Sequence, residues 1–169
     1  VQWINRSFAA LGVETFVPQT KQQSLGFYTT HKYTWNNWIL SAGIRGELSS
    51  IDPKTNQQKL SGNALPPVTL PNDIHYQAIS ASTAAQWNPF KDLSILLSLN
   101  RGKRSPDIQE LLALGPHLAT RSFDIGNIQL SNETVNMIDL SLNWQTRYFS
   151  SRMNGYYNHI DNFIYQRNT

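Results

Sequence analysis

The hydrophobic positions of this chain alternate with polar ones over runs of roughly ten residues, and the alternation is clearest from Ile138 to Trp144. There Ile138, Leu140, Leu142 and Trp144 interleave with Asp139, Ser141 and Asn143, a period of two that predicts a strand with one apolar and one polar face. Asn37 to Leu48 repeats the pattern, with Trp38, Leu40, Ala42 and Ile44 against Ser41, Gly43, Arg45 and Glu47. Tyr76 to Trp87 sets Ile79, Ala81, Thr83, Ala85 and Trp87 opposite a small neutral face, and Leu93 to Arg101 sets Leu93, Ile95, Leu97 and Leu99 on one side. Further runs cover Val1 to Phe8, Gln22 to Tyr33 and Phe149 to Tyr165, making seven predicted strands. Runs of about ten residues suit a tilted strand crossing a bilayer, and a soluble core would rarely accept the polar faces.

The connections alternate in length. Short turns are expected at Thr34 to Asn36, Asn88 to Asp92 and Gln145 to Tyr148, and long segments at Ala9 to Lys21, Ser49 to His75 and Gly102 to Asn132. Short turns on one side and long loops on the other are the pattern of an outer-membrane barrel. Trp35, Trp87, Phe90, Trp144 and Tyr148 fall close to the short turns, where amphipathic rings would sit at headgroup level. Strand-end packing is the alternative account of the same rings. Inside the third long loop, Ser105 as cap, Pro106 as first helical residue, early acidic residues and Gly115 as stop predict a short helix.

Composition narrows the classes. The chain has 169 residues, 40% hydrophobic and only 15% charged, with a net charge of +3. No run approaches the ~20 apolar residues of a membrane helix. Cysteine is absent, which removes disulfides and thiolate metal sites. Lys and Arg form no aromatic-studded stripe, so nucleic acid is not an expected partner. No nucleophile, base and orienter assemble from the sequence, and an enzyme is not expected. The opening Val1-Gln2-Trp3-Ile4 already reads as strand, as in a cut through a longer protein.

The order of motifs from Asn100 to Ile164 resembles the C-terminal part of TonB-dependent outer-membrane receptors. Arg104-Ser105-Pro106 followed by Glu110-Leu111 resembles an R-x-P-x-x-x-E-L pattern. Gly126-Asn127 with Leu130 and Glu133 follows, and Tyr156 to Ile164 resembles a strand ending in Y-N-x-I-x-[DN]-[YF]-I. Gly115 to Thr120, with Arg6 to Gly12 and Phe16-Val17-Pro18, is most similar to the branch associated with zinc and sometimes haem uptake.

The resemblance implies an all-β, up-and-down transmembrane barrel portion, with residues 1–169 a partial barrel domain lacking the plug. Such barrels have 22 strands. It also implies a bacterial outer-membrane location, contact with lipid and lipopolysaccharide, a monomer, and energy from the TonB complex acting through the missing plug. No tightly bound cofactor is expected; the transported ligand would be Zn²⁺ or haem, with a siderophore as the further choice. His117 in the third loop is the candidate metal ligand, with Asp124 seven residues on as a ligand-binding residue, since imidazole and carboxylate donors suit Zn²⁺; the plainer account is a loop histidine bonding backbone or lipopolysaccharide. Arg104, Pro106 and Glu110 are assigned a bracing role in the loop. Arg101, Lys103 and Arg104 form a basic cluster at the mouth, read first as a solvated strand end and second as a contact for lipopolysaccharide or an anionic chelate. His75 is a weaker ligand candidate; His31 lies near a short turn, on the wrong side for capture, and His159 is a strand residue. A soluble β-sandwich carbohydrate-binding module is the rival from another class, and a passive porin or adhesin barrel ranks lower. In a sandwich, Ile138, Leu140, Leu142 and Trp144 would be buried between sheets.

Overall fold

The computed structural model describes residues 1–9, 16–54, 71–117 and 121–167. Seven strands form one antiparallel sheet: β1 (Gln2–Phe8), β2 (Thr20–Trp35), β3 (Trp38–Pro53), β4 (Ile74–Phe90), β5 (Leu93–Arg104), β8 (Glu133–Gln145) and β9 (Ser150–Asp161). They lie side by side in chain order, interrupted only by an excursion between β5 and β8. That excursion holds helix α1 (Ile108–Leu112) and a small hairpin of β6 (Leu114–His117) and β7 (Ser122–Ile125).

The register carries the sequence alternation across the whole sheet. Trp35, Trp38, Trp87, Ile95, Leu142 and Met153 fall in one cross-strand row, and Tyr33, Leu40, Ala85, Leu97 and Leu140 in the next. The opposite face carries rows such as Lys32, Ser41, Ala84, Ser98 and Asp139. A slip of one residue on any strand would exchange the faces. Nothing in the described chain covers the apolar side: Ile138, Leu140 and Trp144 are 48%, 51% and 49% exposed. A second sheet packed there would have buried them, so the sandwich expectation fails. An apolar surface of this extent is far beyond what a soluble monomer leaves in water, and it suits lipid.

Three corrections concern boundaries. The first two turns are tighter than expected. β2 and β3 join through Asn36 and Asn37 alone, with Asn36 at φ 49, a left-handed conformation that asparagine tolerates. β4 runs on through Pro89 to Phe90, accommodated by a register shift after Trp87, and turns at Lys91 and Asp92. The third turn lies at residues 146–149, with Thr146 accepting from the Phe149 N–H. Secondly, several strands are longer than their alternating cores: β2 and β3 have 16 residues each and β4 has 17. Sixteen residues rise about 50 Å along the strand, or roughly 35 Å at a 45° tilt, against an apolar band of about 25 Å. Their far ends therefore stand clear of the bilayer. Thirdly, the helix begins two residues later than expected, with Asp107 rather than Ser105 as N-cap, and ends at Leu112 with Ala113 as C-cap, so that Gly115 belongs to β6.

The aromatic residues do gather at the turn end. The rings of Trp38 and Trp87 stack at 5.6 Å, Trp144 meets Phe149 edge-on at 6.0 Å, and the Arg147 guanidinium lies 5.5 Å from the Tyr148 ring. All are exposed on or beside the apolar face, as an interfacial belt requires.

Candidate functional site: the loop excursion above the sheet

The long-loop end of the sheet is built differently. Val17, Ile51, Ile108, Leu111, Leu112 and Ala113 form a buried cluster, with Phe8, Phe16, Ile74, Tyr76 and Leu130 packed around it. Ile51 shares its face with Thr20, Ser24, Ser49 and Ala78, all buried; this is the polar face of the sheet. The excursion thus folds over the polar side of the strand ends, beyond the band that contacts lipid.

Helix α1 has only 5 residues, too short to stand alone in water, and its environment holds it. The Glu110 carboxylate accepts from the Asp107 backbone N–H at 2.7 Å, which satisfies a free donor of the first turn. Arg104 Nη1 meets the same carboxylate at 2.9 Å, while Arg104 Nε reaches Glu133 at 3.3 Å. Pro106 and Leu111 are fully buried. Each fixed position of the R-x-P-x-x-x-E-L motif therefore has a local physical task in seating the loop.

Gly126 is held by close approach. A Cβ at this position would lie 2.6 Å from the backbone carbon of Leu111, because the Gly126 N–H donates to Ala113 O at 2.6 Å and the Asn127 N–H to Glu110 O at 2.9 Å. Leu130 then packs on the cluster and its carbonyl accepts the Tyr76 hydroxyl at 3.0 Å. Burial pushes the Tyr76 phenol above its ordinary range. The Ile164 backbone N–H donates to Glu133 at 3.0 Å; this bond first, and Arg104 second, hold the Glu133 carboxyl below the usual glutamate range. The pairing with Glu110 conversely raises Arg104.

The proposed ligand pair lies on the small hairpin. His117 ends β6 opposite Ser122, and Gly115 stands opposite Asp124, so the register places Asp124 two residues along the ladder from the partner of His117. The His117 side chain, with residues 118–120, lies outside what is described, as do 10–15 of the upstream motif and 55–70 of the second long loop. Asp124 accepts from the Ser122 hydroxyl at 2.7 Å and from Gln166 Nε2 at 2.9 Å. Among the described residues no three His, Asp or Glu side chains converge as a metal site. His75 is the second residue of β4, while His31 and His159 lie within β2 and β9; His159 sits 3.1 Å from Asp161.

The basic cluster separates into two. Arg104 belongs to the polar face with Glu133, whereas Arg101 and Lys103 alternate onto the apolar side, directly beyond Leu97 and Leu99. Sequence spacing alone treated the three as one patch. The part played by Thr20, Ile51 and Val17 in the loop core was also not anticipated; the break in apolar alternation at Ser49 and Ser50 was the available signal, since a strand leaving lipid no longer needs an apolar face.

A family model described as "TonB dependent receptor-like, beta-barrel" matches residues 3–169. Among solved structures, the chain is similar to the copper transporter OprC, with a TM-score of 0.69 and 15% identity over 86% of this chain. The match spans 22% of the length of that transporter, and at this identity it speaks for the fold. With strands that sort lipid-facing from polar side chains and a family match over almost its whole length, the chain belongs to the β-barrel family of TonB-dependent receptors of the bacterial outer membrane.

Proposed function

We propose that the chain forms part of the wall and outer rim of a receptor that imports a metal or metal complex across the outer membrane, with zinc as the first substrate. The observation that carries the reading is the two-faced sheet capped by an ordered loop excursion: a lipid-facing wall below and a structured surface at the mouth. Uptake would draw its energy from the TonB complex through a plug domain, and the mature receptor would act as a monomer in contact with lipopolysaccharide. The similarity to a copper transporter supports a metal cargo, since Zn²⁺ and Cu²⁺ share a preference for imidazole donors.

Within this reading His117 supplies one ligand and Asp124 a second, with the remaining donors outside this chain. Asp124 would exchange its hydrogen bonds from Ser122 and Gln166 for the metal, or keep one as an orienting contact. Calorimetry of zinc binding to the whole receptor in detergent, beside His117→Ala and with haem as competitor, tests this. The expected result is tight zinc binding weakened at least tenfold in the variant. Absence of zinc binding would move the cargo to haem or a siderophore, and unchanged affinity in the variant would remove His117.

A further inference from the structure

The chain stays against the excursion after β9 ends. Asn162 adopts a left-handed conformation, at φ 53, which asparagine tolerates. Residues 162–166 are then bonded to the excursion and the start of β8 at every second position. Asn162 Nδ2 donates to Asn132 O at 3.3 Å, the Ile164 N–H to Glu133 Oε2 at 3.0 Å, and Gln166 Nε2 to Asp124 Oδ1 at 2.9 Å. Phe163 and Tyr165, between these ties, are exposed and stack their rings at 6.0 Å. A period of two marks an extended segment whose alternate residues serve opposite sides. Residues 162–166 are therefore a strap, laid from the end of β9 to the small hairpin.

The first two ties reach parts that are already fixed. β4 and β5 pair only as far as Ala81 and Arg101; beyond that fork β4 continues beside β3 and β5 beside β8. The stretch that enters β8 fills the fork, with Asn132 Nδ2 donating to Gln77 O at 2.7 Å and Leu130 O accepting from the Tyr76 hydroxyl. Glu133 is buried and paired with Arg104, which also holds Glu110. The Ile164 bond thus ends on a charged oxygen, and such bonds are about twice as strong as neutral ones.

The third tie reaches a part that needs it. β6 and β7 have 4 residues each, and a two-stranded pair is marginal by itself in water. Its base is secured by the Leu114 N–H to Phe16 O at 2.7 Å and the Gly126 N–H to Ala113 O at 2.6 Å. Gln166 acts on a side chain instead: it and the Ser122 hydroxyl, at 2.7 Å, both donate to Oδ1 of Asp124. Two donors on one oxygen fix the plane of the carboxylate. A neutral amide also orients a carboxylate without cancelling its charge, and capture of a cation depends on that charge. Ser122 stands on the same strand as Asp124 and moves with it, whereas Gln166 comes from a segment fixed to the wall.

We propose that Gln166 is a positioning residue for cargo capture, holding the Asp124 carboxylate in the orientation in which it meets a divalent cation, and that Glu133 holds the strap that delivers Gln166. The inference rests on the reading of Asp124 as a metal ligand. Of the two donors to Asp124, it selects Gln166 as the one that stays when the metal arrives.

The test uses the whole receptor in detergent, with calorimetry of Zn²⁺ binding and the visible spectrum of bound Co²⁺ as readouts. Gln166→Ala should weaken Zn²⁺ binding about tenfold, the lower end for partners that orient a metal ligand, and should shift the Co²⁺ bands. Glu133→Gln should do the same by a smaller factor. Gln166→Arg keeps a donor but brings a positive charge, so it should bind Zn²⁺ less tightly than wild type. Unaltered heat-resistant migration of the barrel on gels shows that each variant is folded. Wild-type affinity in Gln166→Ala or Gln166→Arg overturns the proposal. Weakened affinity with unshifted Co²⁺ bands overturns it as well, since Gln166 would then only stabilise the hairpin. Failure of the underlying reading looks different: wild type binds neither ion, or Asp124→Asn leaves Zn²⁺ affinity unchanged, and both conclusions then fall together.

Discussion

The two ends of this sheet obey different rules although the same strands run through both. Near the short turns, large side chains such as Trp38, Trp87 and Leu140 are exposed and have no protein cover; the backbone ladder and the surrounding lipid supply their stability. Near the long loops, Ile51, Ile108 and Leu111 are almost completely buried, and stability comes from a packed core of the kind found in soluble domains. The polar face of the sheet thus acquires an apolar centre only where it has left the bilayer. A strand that outruns the membrane needs a second source of burial, and the excursion between β5 and β8 provides it.

The sharpest way to break this contrast is to empty the loop core. Leu111→Ala should cost about 3 kcal/mol, within the usual 2–5 for a buried leucine, and that loss should be confined to residues 105–132 and the strand ends they cover. Hydrogen exchange of the whole receptor in detergent checks it. Protection lost evenly along β3 and β4 would mean that the two ends are a single cooperative unit.

Glu133→Gln acts on the polar side of the same region and should cost about 1.5–3 kcal/mol, the range for hydrogen bonds to a charged group. It also carries a pH signature. The folded Glu133 carboxyl titrates below its ordinary range, so its contribution is complete above about pH 4.3, the unfolded value, and is lost as pH falls through the folded one. Wild-type receptor should therefore lose protection around residues 104–110 and 164 on acidification below that value, and the glutamine variant should lack this component. Identical acid profiles would assign the contact no part in seating the loop.

The smallest effect is expected at the other end. Trp38→Ala removes a stacked pair worth about 0.5–1.5 kcal/mol and should leave the loop region untouched. Its cost should depend on the bilayer, appearing in lipid vesicles and shrinking in a detergent that has no interface at a fixed depth. A cost equal in both would mean that the aromatic belt works by packing alone.

Much of the wall was legible in the sequence because lipid imposes a strict period of two and water a short turn; the register of Trp38, Leu40, Ala42 and Ile44 follows from that alone. What was not legible lies where the strict rule ends. Leu114 to His117 and Ser122 to Ile125 are too short and too weakly alternating to announce a hairpin, and Gly115 looked like a helix stop because the local rules for a glycine do not distinguish a cap from a strand. Arg101, Lys103 and Arg104 looked like one patch because linear spacing does not show that a strand sends alternate residues to opposite sides. The motif positions Arg104, Glu110, Gly126 and Glu133 could be quoted from the sequence, but their contacts with one another span up to 29 residues and follow only from the fold.

The fork between β4 and β5 has a mechanical side. Beyond Ala81 and Arg101 the sheet is two flaps, β1 to β4 on one side and β5, β8 and β9 on the other, that share no backbone ladder. They are joined by single bonds: the Lys103 N–H donates to Ser80 Oγ directly across the fork, and the stretch that runs into β8 adds the Leu130 carbonyl, which accepts from Tyr76, and the Asn132 amide, which donates to Gln77 O. A tug on the excursion between β5 and β8 is therefore transmitted to both flaps at once, and the spread of the rim is set by how tightly that excursion is seated.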